Sequence, residues 1–247
     1  MKIVAIGGGE NGRPGTEYEI KVFDEEIVRL TNKSNPNYLF IGFAQSNSER
    51  QQSYFNVMNK NFTALNCKCE KLCESDLKDR KIVTDKISKA DIIYVGGGNT
   101  LRLMTLLRKY NVIELIKSAG ERGAVLCGVS AGAICWCNYG NSDSRLFTSG
   151  SNKLIKVSGM GFIDALFCPH YDENKNRQTD LVRMMKTTKG VALAFGKCAA
   201  LKIVDDDYFV LTAMENACAL KCYYKKGEYI INEIAPCGKV SDLVKKA

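Results

Sequence analysis

Ala124-Val125-Leu126-Cys127-Gly128-Val129-Ser130-Ala131-Gly132-Ala133-Ile134-Cys135-Trp136-Cys137 is the stretch on which the reading of this chain turns. Its first half is a short apolar run of the kind that forms a buried strand, and its second half reads as the opening turns of a packed helix. Between them stands Gly-x-Ser-x-Gly, an elbow that lifts a serine to the apex of a sharp strand-to-helix turn, where bulky flanking residues would collide with the turn.

Working outward, strand-like and helix-like segments alternate through the first 200 residues, which predicts a mostly parallel sheet with helices on both faces. Residues 2–6, 38–44, 68–72, 91–95, 166–168 and 191–195 read as strands. Helices are expected over 48–65, 80–89, 101–110 and 177–188, and a capping box at Thr16-Glu17-Tyr18-Glu19 opens one that carries Ile20, Phe23, Ile27 and Leu30 on one face. The stretch 138–161, rich in Ser, Gly and Asn, reads as an active-site loop region. From Ala199 onward, turn chemistry at Asp205-Asp206-Asp207 and Lys225-Lys226-Gly227-Glu228 predicts antiparallel C-terminal hairpins. The expected organisation is a single α/β domain over 1–247.

With 247 residues, 45% of them hydrophobic, the chain can bury a full core. Its eleven cysteines are scattered and odd in number, and the Met1-to-Gly9 opening is too short an apolar run for a secretory signal, so reduced thiols and a cytoplasmic location are expected. No segment approaches the roughly 18 apolar residues of a membrane span. The net charge of +8 comes from dispersed lysines without an arginine-aromatic pattern, which argues against nucleic acid as a partner. Cys67-x-Cys69 and Cys135-x-Cys137 have the wrong spacing for zinc and read as small buried hydrophobes, so no metal is expected. Gly7-x-Gly9-x-x-Gly12 follows a strand, but Arg13-Pro14-Gly15 delays the helix that a dinucleotide site needs, so no nucleotide cofactor is expected either.

The chain has one histidine, His170, placed where an apolar strand and Pro169 give way to polar residues. Ser-His chemistry would have to use Ser130 and His170, and the fold should bring both to the carboxyl edge of the sheet. A neutral imidazole also needs an acid to fix its tautomer. Asp143 is the best-placed candidate; Asp172 and Glu173 are close in sequence but have to fold back, and Glu215 is distant. The amide of Ala131 and one from the glycine loop at Gly98 would serve as oxyanion donors.

Taken together, Val95-Gly96-Gly97-Gly98-Asn99-Thr100, Gly128-Val129-Ser130-Ala131-Gly132-Ala133, Pro169-His170 and Arg177 resemble the peptidase S51 family, the dipeptidase E and cyanophycinase group. The resemblance implies a fold like that of class I glutamine amidotransferases, which would carry cysteine at position 130. It implies Ser130 as nucleophile, His170 as general base and then acid, and Gly98 with Ala131 as the oxyanion hole. It further implies that Asn99 and Arg177 bind polar groups of the substrate, a short peptide, with Arg177 pairing the side-chain carboxylate of an N-terminal aspartate. Cleavage of β-aspartyl linkages and a catalytically silent binding protein are the competing readings, and either a monomer or a homodimer is compatible with the sequence.

Overall fold

Aliphatic runs separated by amphipathic segments build two sheets in the computed structural model, which describes residues 1–173 and 175–246. The chain begins with β1 (Lys2–Ile6), α1 (Lys21–Arg29), β2 (Asn37–Ile41), α2 (Ser48–Ala64), β3 (Lys68–Leu72), α3 (Arg80–Lys89) and β4 (Ile92–Val95). It continues through α4 (Thr100–Lys109), α5 (Ile113–Glu121), β5 (Val125–Val129), α6 (Ala131–Ile134), β6 (Cys137–Ser142), α7 (Ser144–Ser149), β7 (Ile155–Ser158) and β8 (Ile163–Cys168). After α8 (Lys175–Met185) and β9 (Ala192–Phe195), hairpin strands β10 (Ala199–Val204), β11 (Asp207–Thr212), β12 (Ala219–Lys225), β13 (Glu228–Glu233) and β14 (Cys237–Lys239) lead into a last turn, α9 (Val240–Leu243).

The larger sheet has eight strands in the order β14-β11-β10-β1-β5-β4-β2-β3. From β1 to β3 its neighbours are parallel, and the hairpin strands extend it antiparallel. The smaller sheet has six strands, β13-β12-β9-β8-β6-β7, parallel only across β9, β8 and β6. Sequence alone suggested one sheet. The division follows from α6: at four residues it is far shorter than the dozen or more that a parallel crossover needs, so the chain leaves the first sheet and starts a second. One continuous apolar cluster fills the space between the sheets, from Ile41, Val95 and Leu107 to Trp136, Phe167 and Phe195. A second covers the other face of the larger sheet under α1 and α2, and a third lies between the smaller sheet and α8.

Two local expectations need correction. The first helix starts at Lys21 with no side-chain cap, although Ile20, Phe23, Ile27 and Leu30 are buried as the pattern required. The Glu19 carboxylate accepts the Glu10 amide (2.9 Å) and Asn11 bridges to Tyr18, which ties residues 10–20 into a loop instead of a helical turn. The stretch 138–161 is regular as well, formed by β6, α7 and β7. Its small polar residues are held by pairing: Asn141, Ser142 and Ser144 are buried, and the Ser142 and Ser144 hydroxyls lie 2.8 Å apart.

Under that first loop lies a buried acid. Asp24, on α1, has no exposed surface, takes a 2.5 Å hydrogen bond from the Tyr18 hydroxyl, and has no partner for its other oxygen among the described residues. Burial raises its carboxyl to about 7, outweighing the opposing Tyr18 bond.

Candidate active site

The carboxyl ends of β1, β4 and β5 converge on one cleft of about 490 Å³, lined by residues that include Gly9, Gly97, Gly98, Val129, Ser130 and His170. This is where open parallel sheets place ligands. Ser130 stands at the apex of the elbow with φ 56° and ψ −109°, a conformation that a side chain disfavours. Local bonds hold it there. Its amide donates to Ile6 O of β1 (3.0 Å), and its carbonyl accepts from Ala133 (3.0 Å) and Ile134 (2.9 Å). The following glycine is dictated by contact, since a Cβ on Gly132 would lie 1.9 Å from the Val95 carbonyl oxygen.

The glycine loop after β4 forms the adjoining wall. Gly98 has φ 134°, and its amide, like that of Ala131 at the start of α6, has no acceptor among the described residues. Gln45, not singled out from sequence, pins this loop by donating from Nε2 to Gly97 O (2.8 Å). The Gly97 amide itself donates to the Tyr54 hydroxyl (3.4 Å).

His170 reaches the cleft from the other sheet, at the end of β8, so the expectation of a single sheet edge becomes a meeting of two. The seam is made by the His170 amide donating to Gly7 O (3.2 Å). Its ring Nδ1 is hydrogen-bonded to the Glu173 carboxylate. Glu173 does fold back: His170 has φ 53°, and a turn closed by Glu173 N to His170 O (3.2 Å) returns the carboxylate to the imidazole. That bond holds the Glu173 carboxyl below its usual range, with burial opposing and the His170, Lys197 and Arg177 charges assisting. The pair rests on Gly8, where a Cβ would lie 2.7 Å from His170 Nδ1 and 2.9 Å from Glu173 Oε2. The signal for this seat was in the sequence, as three glycines directly after the first strand.

Asp143, expected to orient the histidine, is engaged elsewhere. It follows β6, and its carboxylate takes a 3.0 Å bond from Arg177 Nη2. Arg177, expected to reach substrate, is only 4% exposed and donates its other arm to Asn141 O (2.8 Å). Neither residue lines the Ser130 cleft. The Asp172 carboxylate accepts the Lys197 amide (2.9 Å), and Glu215 sits exposed between β11 and β12. Asn99 caps α4 by accepting the Arg102 amide (3.0 Å) and lines a smaller neighbouring cavity rather than the Ser130 cleft. Among the described residues, no three His, Cys, Asp or Glu side chains gather as a metal site, and no helix is long and apolar enough to cross a membrane.

Comparison with known proteins places the chain in one family. The model for peptidase family S51 matches residues 3–211. The Uncharacterized peptidase YgaJ of Bacillus subtilis is 30% identical over 211 residues, covering 84% of this chain and 85% of that protein. Peptidase E of Shewanella denitrificans is 29% identical over 108 residues, covering 44% of this chain and 43% of the relative. Among solved structures, a peptidase from an acI-B1 Actinobacterium superposes with a TM-score of 0.72 at 16% identity and covers 96% of each chain. A putative peptidase E protein from Listeria monocytogenes gives 0.61 at 18% identity, covering 85% of this chain and 98% of its own. The fold is thus the flavodoxin-like, glutamine amidotransferase-like one of these peptidases, and the chain belongs to peptidase family S51.

Proposed function

We propose that this peptidase is a serine exopeptidase that hydrolyses short peptides through an acyl-enzyme on Ser130. The observation that carries the reading is the shared cleft: Ser130 at a strained apex and His170 entering from the other sheet both line it, with one ring nitrogen of His170 already held by Glu173. With Nδ1 donating to Glu173, the neutral ring presents the Nε2 lone pair as a base. Nε2 takes the Ser130 proton as Oγ attacks the scissile carbonyl, and the oxyanion that forms is met by the free amides of Gly98 and Ala131. The imidazolium, stabilised by Glu173, gives its proton to the leaving amine. Water then repeats the sequence on the ester and releases Ser130.

In this reading Glu173 takes the role expected of Asp143. The aspartate preference implied by family resemblance depends on Arg177, whose charge is already neutralised by Asp143, so strict selection for an N-terminal aspartate is not part of the proposal. A cleft of about 490 Å³ is on the scale of small-molecule pockets, which suits a short peptide. Eleven free cysteines support a reducing, cytoplasmic setting.

Hydrolysis of Asp-Leu, Leu-Leu and β-Asp-Leu by the wild type and Ser130→Ala tests the reading. Cleavage of the α-linked peptides that falls by at least about 10³-fold in Ser130→Ala is the expected result. Equal activity of the two proteins would refute the serine mechanism, and cleavage confined to β-Asp-Leu would move the enzyme to the cyanophycinase side of the family.

A further inference from the structure

The cleft wall carries two arginines, and they are not equivalent. Arg13 is paired with Glu10 at 2.8 Å. Arg50, in the first turn of α2, has no carboxylate within ion-pair distance among the described residues. Arg50 and Gln45 also belong to both the Ser130 cleft and the adjoining cavity of about 230 Å³. The second arginine of that smaller cavity, Arg102, is occupied by Glu74 (2.7 Å) and by Phe43 O. Its apolar wall is Ala44 and Phe147, the latter an aromatic side chain on α7 left 51% exposed.

An unpaired guanidinium on the divide between a nucleophile and an apolar recess has the chemistry to hold a carboxylate in bidentate fashion. An unblocked dipeptide always brings one such group, the terminal carboxylate of its second residue. Resting on the peptidase reading above, we propose that Arg50 is a specificity-determining residue that binds the free C-terminal carboxylate of the released amino acid, whose apolar side chain enters the recess beside Phe147. The enzyme would thereby measure peptide length. A longer peptide or a C-terminal amide presents no anion at that distance from the scissile bond, and Arg50 is left without its partner.

The test compares kcat/KM for Leu-Leu and Leu-Leu-amide, and for Asp-Leu and Asn-Leu, in the wild type, Arg50→Gln and Arg50→Lys. Wild type should favour the free acid over the amide by about 10- to 100-fold, the range expected for hydrogen bonds to a charged group. This ratio should collapse toward one in Arg50→Gln and persist in part in Arg50→Lys. An unchanged acid-to-amide ratio in Arg50→Gln overturns the proposal. So does a collapse of the Asp-Leu to Asn-Leu ratio instead, which would give Arg50 to the N-terminal side chain. Calorimetric titration of Ser130→Ala, with and without Arg50→Gln, by the same peptides separates this question from catalysis. Arg50-dependent preference for the acid would sustain the subsite even if no peptide were cleaved, and equal or absent binding of acid and amide would remove it.

Discussion

Asp143 and Glu173 lie just beyond the carboxyl ends of neighbouring parallel strands, β6 and β8, and each is bonded to one nitrogen-bearing side chain. Their partners differ in what they leave free. Arg177 is buried and turns its other terminal nitrogen, Nη1, to Asn141, so the Asp143 pair is a strut between α8 and β6. His170 is a two-ended ring that gives one nitrogen to Glu173 and lines the cleft with the rest of its surface. The difference teaches that an acid's place beside a catalytic strand says little about its role until its partner is known.

Replacing the acids separates the two pairs most sharply. Glu173→Gln should lower kcat by about 10²–10⁴-fold, because the amide no longer stabilises the imidazolium or enforces its tautomer, whereas Asp143→Asn should leave most of the activity. Steady-state kinetics on the two variants checks this, and the reverse outcome would restore Asp143 to the triad.

A carboxylate without a cation extends the comparison to pH. The folded Asp24 carboxyl lies near 7 against an ordinary value of 3.8, so the folded state binds its proton more tightly than the unfolded state. Its contribution is fully present below about pH 4 and is lost as pH rises through about 7, a loss on the order of 2–4 kcal/mol. Glu173 has the opposite sign: its contribution is present above its ordinary range and disappears as pH falls through the depressed folded value. Urea unfolding between pH 5 and 8 should show the Asp24 decline, and Asp24→Asn, which keeps an acceptor for Tyr18, should flatten it. A wild-type curve with no decline would contradict the buried-acid account.

Gly8→Ala acts on one pair only. Its methyl would press on the His170–Glu173 contact, and a misplacement of that kind should cost about 10²-fold in kcat with the fold retained. Arg177→Met reverses the pattern, with a loss of about 2 kcal/mol in unfolding free energy and little change in kcat for the fraction that folds. Thermal melts beside single-turnover rates distinguish the two. A large kcat loss in Arg177→Met at full stability would return that arginine to the substrate.

Much of this was legible in the chain. The bounds of β1, β3 and α3 follow from their patterns, and the elbow and the lone histidine pointed to Ser130 and His170, which line one cleft. What escaped depends on distance in space. Glu173 reaches the imidazole only because His170 adopts a positive φ, and no residue type announces that turn. Arg177 looks like a solvated or substrate-facing charge until β6 is seen to bring Asn141 and Asp143 against it. The second sheet was hidden because β8 and β9 are short and apolar like the strands of the first, while β6, Cys-Asn-Tyr-Gly-Asn-Ser, has the composition of a loop. The helix at α5 went unread between a clear helix and a clear strand.

The backbone at Ser130 has a consequence for how this sequence can drift. A side chain held at φ 56° and ψ −109° opposes folding, and glycine at that position would relieve the strain, so Ser130→Gly should raise stability by about 1 kcal/mol while abolishing turnover. Selection for stability alone would erase the proposed nucleophile. Stability and the chemistry proposed for Ser130 therefore pull this position toward different residues.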